Sequence, residues 1–98
     1  MISLIGKKVI IRGDRSGVFF GTLESKEGRE VELSNCRRLW YWDGAASISQ
    51  IAVDGVSKPD NCNFTVTVPT ILIEDVIEVI PCSDKAIKII EDVKVWKK

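Results

Sequence analysis

The chain contains no histidine. That removes the commonest general base near neutral pH, and with it every Ser/His or Cys/His nucleophile arrangement. Cys36, Cys62 and Cys82 are odd in number and widely spaced, and no imidazole accompanies them, which argues against both a disulfide framework and a zinc site. Buried free thiols are the expectation. No apolar run approaches the length needed to span a bilayer, and Met1-Ile2-Ser3-Leu4-Ile5 is too brief, and lacks the basic flank, for a signal peptide. A cytoplasmic protein with no membrane partner is therefore expected. Charge of one sign is also missing: 14 basic residues balance 14 acidic ones, so no net field draws the chain onto duplex DNA or an anionic surface. There is no Gly-rich phosphate loop with its lysine, which disfavours nucleoside triphosphate hydrolysis of that kind.

What is present fits one small domain spanning residues 1–98. With 45% hydrophobic residues but only 7% aromatic, such a chain can spare an apolar face for a second copy, and a homo-oligomer is expected.

Hydrophobic alternation predicts a mainly β, α+β fold: a small twisted, barrel-like antiparallel sheet of five to six strands with one or two short helices. Gly6 to Arg12 reads as a first strand, ended by the Gly13-Asp14-Arg15-Ser16-Gly17 turn. Val18 to Ser25 follows, apolar on both faces, with Gly21 marking a bulge or a close backbone approach. Arg29 to Ser34 is a third strand with one wet face. Residues 64–68 and 71–80 read as a fourth and a fifth strand, the fifth switching its apolar phase near Glu74 and Asp75. A helix containing Ile48, Ile51 and Ala52 starts at either Asp43 or Ser47, another runs from Ser83 to Glu91, and 93–96 reads as a last short strand.

The stretch from Asn35 to Gln50 gathers the chain's most distinctive side chains. Two of three tryptophans and the only tyrosine lie there, behind two adjacent arginines and ahead of Gly44-Ala45-Ala46. Flat rings beside fixed positive charge suit a flat anionic ligand: Trp40, Tyr41 or Trp42 to stack on a base, Arg37 or Arg38 to meet phosphate. Asp43, Ser47, Ser49 or Gln50 would hydrogen-bond ribose or base edges, with Asn61 and Asn63 as outer candidates. If the run is extended, Trp40 and Trp42 face one way and Tyr41 and Leu39 the other. The start of the helix would also offer free backbone amides to a pyrophosphate. The same rings would serve equally as core, or as anchors for a protein partner.

An enzyme is not expected, since the carboxylates are scattered among turns and no nucleophile signature is present. No catalytic residue, cofactor or metal is assigned. A small nucleotide-cleaving enzyme stays open as an alternative, because carboxylates distant in sequence can converge in a fold.

Gly6-Lys7-Lys8-Val9-Ile10-Ile11-Arg12, Gly17-Val18-Phe19-Phe20-Gly21-Thr22-Leu23, Arg37-Arg38-Leu39-Trp40-Tyr41-Trp42 with Gly44-Ala45-Ala46-Ser47, and Val79-Ile80-Pro81-Cys82 resemble a family of small tailed-phage proteins of unassigned function. The resemblance is specific at the Arg-Arg-Leu-Trp-Tyr-Trp segment and looser elsewhere. It implies a phage gene expressed in the bacterial host cytoplasm. By analogy it also points to the small oligomeric phage proteins that act as nucleotide-signal sponges, such as the group called Sequestin. The expected function is then anti-defence: binding and sequestering a cyclic ADP-ribose isomer, an ADP-ribose conjugate or a cyclic dinucleotide without turnover. A module that inhibits a host protein by direct contact is the alternative.

Overall fold

Val9, Ile10 and Ile11 are all fully buried, although alternation sends Ile10 to one face of its strand and its two neighbours to the other. Both faces of the sheet are covered at that point, and the covers differ. The computed structural model describes residues 3–98. Ile10, Phe20, Leu39 and Phe64 face a core closed by two helices. Val9, Ile11, Phe19, Leu33 and Ile73 face a second core inside the curl of the sheet itself.

Strands β1 (Lys8–Gly13), β2 (Val18–Glu27) and β3 (Glu30–Tyr41) form an antiparallel meander. Helix α1 (Ile48–Asp54) and a single 3₁₀ turn (Pro59–Asn61) follow, then β4 (Asn63–Phe64), β5 (Val68–Ile73), β6 (Val76–Pro81) and α2 (Asp84–Asp92). The sheet order is β4-β3-β2-β1-β6, with β5 also paired to β3. Adjacent phenylalanines make β2 apolar on both sides, and Phe19 and Phe20 enter different cores, so its two apolar faces are both interior to one chain.

The expected fifth strand is two strands. Its phase switch at Glu74 and Asp75 is a link of two residues between β5, on the β3 side of the sheet, and β6, on the β1 side. That link spans only about 10 Å, so the two sides of the meander are drawn together and the sheet curls without closing. The expected fourth strand shrinks to Asn63–Phe64: residues 65–67 belong to no strand, and Val68 instead opens β5, which pairs with an earlier part of β3. The expected last strand is a single parallel bridge from Phe64 to Val95.

Strand β3 runs well beyond the expected Ser34, through a bulge. Phe20 pairs with Arg37 and Thr22 with Ser34, so Gly21 alone faces both Asn35 and Cys36. Asn35 takes the left-handed conformation, φ 49°, which asparagine tolerates better than most residues. A Cβ on Gly21 would lie 3.1 Å from Ser34 O and 3.2 Å from Cys36 Cα, so glycine is what lets the bulge pack. The extra residue inverts the alternation. Val31, Leu33 and Cys36 all face the curl, while Arg37 and Leu39 are sent to the helix side.

Helix α1 starts at Ser47, whose Oγ accepts from Gln50 N at 3.2 Å; Asp43 lies outside it. Ser83 caps α2 by accepting from Ala86 N at 3.1 Å, and its hydroxyl donates to Val53 O at 2.6 Å, tying the two helices together.

Asp75 locks the curl. Its carboxylate accepts from Ser16 Oγ at 2.6 Å, Ser16 N at 2.9 Å and Arg15 N at 2.8 Å, joining the β5–β6 link to the β1–β2 turn. These donors, the Ser16 hydroxyl foremost, lower its pKa from the usual 3.8. A depressed folded-state value means that stability is fully present above the unfolded pKa and is lost as pH falls through the folded one. Thermal melts should therefore show a midpoint that declines on acidification below about pH 4, with the Asp75 contribution to that decline missing in Asp75→Asn.

Candidate functional site

Because the bulge turns Arg37 toward the helices, its guanidinium lies almost wholly buried, 4% exposed. Nε donates to Thr65 O at 3.0 Å, Nη1 to Ile90 O at 2.8 Å, and Nη2 to Phe64 O at 3.2 Å and Lys94 O at 3.4 Å. The group also lies over the Phe64 ring, 5.6 Å from its centroid. Burial lowers its pKa from the ordinary value, but four carbonyl dipoles replace the lost water. Arg37 thereby pins β4, the end of α2 and the C-terminal segment to β3.

Arg38 points the opposite way. Its guanidinium stacks on Phe19, 4.4 Å from the ring centroid, and Nη1 donates to Ser16 O at 2.6 Å. It remains half-buried, with donors to spare, on a groove of about 450 Å³ lined with Arg15, Ser16, Phe19 and residues 71–75 of β5 and the β5–β6 link. A smaller hollow of about 70 Å³ shares Phe19, Arg38 and Ile71 with it.

A second irregularity follows in β3: Leu39 pairs with Phe64 and Tyr41 with Asn63, leaving Trp40 unmatched. Simple alternation would place Trp40 with Trp42, but the bulge lets Trp40 and Tyr41 both turn outward, 64% and 52% exposed. Trp42 folds back and packs, with Ala45 and Ile48, on the helix-side core. Trp40 instead meets Trp96, with centroids 6.3 Å apart and planes within 7°. Trp96 was not among the residues the sequence singled out; the available signal was its place as the third tryptophan, in a lysine-rich C-terminal run.

The other candidates are spread along the helix side. Asp43 accepts from Asn61 Nδ2 at 3.1 Å, and its backbone N–H donates to Cys62 Sγ at 3.5 Å. Asn63 sits in β4 opposite Tyr41. Ser47 is the helix cap, Ser49 is exposed on α1, and Gln50 Oε1 accepts from Ala46 N at 2.7 Å. That bond occupies one of the amides the sequence offered to a pyrophosphate. Among the described residues, the four best-formed hollows are lined by none of Trp40, Tyr41, Trp42, Asp43, Ser47, Ser49 and Gln50. An apolar hollow of about 500 Å³ lies elsewhere, between Leu4, Ile5, Leu23 and Val79.

Burial pushes the thiols of Cys36 and Cys82 up to about 12, Cys36 despite the opposing charge of Arg38, so both stay protonated at neutral pH. Among the described residues no three Cys, Asp or Glu side chains converge as a metal site, and no helix is long and apolar enough to cross a membrane.

Residues 6–90 match a domain of unknown function, DUF6948. The chain belongs to that family. Arg37 to Gln50 falls inside the DUF6948 span and Trp96 beyond it. No curated protein matches the chain. Among solved structures it is similar to a heptameric archaeal Sm protein, with 18% identity and a TM-score of 0.51 over 82% of this chain and 91% of that one. At that identity the likeness is one of fold.

Arg37→Ala, which removes four hydrogen bonds from carbonyls around Phe64, should destabilise the domain by about 3 kcal/mol in denaturant titrations. Arg37→Lys should restore only part of that, since one ammonium cannot reproduce the planar fork.

Proposed function

We propose that this chain captures a flat, anionic, nucleotide-like ligand and holds it without turnover. The observation that carries the reading is the division of labour within β3. Arg37 is consumed by the fold, whereas Arg38 faces an open groove with a second arginine, Arg15, on its wall, and Trp40 presents its ring two residues further on. Leu39 enters the helix-side core between Arg38, which faces the groove, and Trp40, which the bulge turns outward, with the Arg38 and Trp40 Cα atoms about 7 Å apart. Phosphate on Arg38 and a base on Trp40 is a spacing a nucleotide spans. Stacking contributes roughly 1–3 kcal/mol per base and needs no histidine.

Placed in its resemblance to small phage proteins, the activity is that of a sponge working in the bacterial host cytoplasm. It would deprive a defence system of a cyclic ADP-ribose isomer, an ADP-ribose conjugate or a cyclic dinucleotide. Calorimetry with these nucleotides should show saturable binding that Arg38→Ala weakens at least ten-fold, the scale of about 1.4 kcal/mol for a charge-assisted hydrogen bond. Heat denaturation should then release the nucleotide unchanged. An altered nucleotide means an enzyme instead. Absence of binding leaves a protein-inhibiting module, a reading supported by the exposed Trp40, Tyr41, Val66, Val95 and Trp96, and a stoichiometric partner in a host-lysate pull-down would support it.

The working unit would be a homo-oligomer. Among the described residues the outer edges of β5 and β6 have no partner strand, and each carries an exposed apolar residue, Leu72 and Ile77. Two different edges on one subunit pair head to tail, the arrangement that closes a ring; the similar archaeal Sm protein is heptameric. Light scattering should give a multiple of 10.9 kDa for the unmodified chain and a monomer for Leu72→Lys with Ile77→Lys.

A further inference from the structure

The Trp40–Trp96 pair has no role in either core, yet it holds two of the largest apolar side chains of the protein in solvent. The arrangement is built. Trp96 N donates to Phe64 O at 2.8 Å, Val95 bridges Phe64, and the buried Arg37 reaches Lys94 O, so the segment after α2 is tethered beside β3. Rings in van der Waals contact have their planes about 3.5–4 Å apart. At a centroid separation of 6.3 Å and nearly parallel planes, the two indoles cannot lie squarely face to face in contact. Each keeps ring face available to a third flat ring. In the same segment as Trp96, Lys94, Lys97 and Lys98 are exposed, and none of the described ion pairs uses any of the three.

We propose that Trp40 and Trp96, stacked on each other, form an aromatic platform on whose free face the purine ring of a nucleotide stacks, with the exposed lysines of the same segment adding positive charge beside it. This rests on the nucleotide-capture reading and deepens it. The ligand class follows from the platform: a bicyclic indole face rewards a bicyclic base over a monocyclic one. A site made of ring faces tolerates changes at the base edge.

The test uses the full chain and calorimetry with AMP, UMP and ribose 5-phosphate, titrated into the millimolar range. AMP should bind more tightly than UMP, and Trp96→Ala should weaken AMP about ten-fold, the loss of half the platform, while Trp96→Phe restores most of it. Ribose 5-phosphate should bind weakly and equally to all variants. Trp96 is exposed, so these variants should keep the thermal midpoint of the unmodified chain. Should Trp96→Ala bind AMP unchanged while Trp40→Ala is weakened, the paired platform is wrong and nucleotide capture stands. Should the unmodified chain bind none of the three probes, the stacking site is overturned, and nucleotide capture is decided by the titration with cyclic ADP-ribose isomers and cyclic dinucleotides. Should Trp96→Ala alter only the oligomer mass in light scattering, the pair is a subunit contact and the proposal is overturned.

Discussion

One extra residue in β3 governs what the rest of the molecule can do. Had the strand continued from Leu33 in simple alternation, Arg37 and Leu39 would face the inside of the curl and Arg38 and Trp40 would face the helices. The bulge at Asn35 and Cys36, admitted by Gly21 on the neighbouring strand, exchanges the two sets. A charged group then lies in the helix-side core and a second one lies on the groove. The burial of Arg37 is tolerable because four carbonyls near the irregular ends of β4 and α2 accept from its guanidinium and replace the water it loses.

The same fastening carries over into function. A two-residue strand such as β4 contributes little by its ladder, and the segment after α2 has a single parallel bridge. Arg37 makes these fragments one surface with β3, and that surface carries Trp40 and Trp96. At the other end Asp75 fastens the β1–β2 turn to the β5–β6 link, and the groove below Arg38 lies along that seam. Polar staples thus hold a sheet that curls without closing, and each staple borders one of the surfaces proposed to meet ligand.

Much of this architecture is legible in the residues. The apolar doublet at Phe19 and Phe20 marks a strand apolar on both faces, Gly21 marks a bulge or a close approach and is both, and the helix starts are legible at Ser83 and, with Asp43 as the other candidate, at Ser47. The phase switch at Glu74 and Asp75 is equally visible, although it marks a turn between two strands and not a bend in one. The bulges are less visible, because the positive φ of Asn35 depends on what Gly21 permits on another strand. For that reason Arg37 and Arg38 look equivalent in the sequence and occupy opposite faces in the fold. Trp96 was hidden for a different reason: its neighbour lies 56 positions earlier, and only the wrap of the last segment brings the rings together.

The surface proposed for ligand can be read directly through the three indole N–H resonances of an amide-correlation NMR spectrum, which report Trp40, Trp42 and Trp96 separately. Titration with ADP-ribose should shift Trp40 and Trp96 together, saturably, and leave the core-packed Trp42 in place. Movement of Trp42 alone, or of none of the three at saturating nucleotide, would contradict the account.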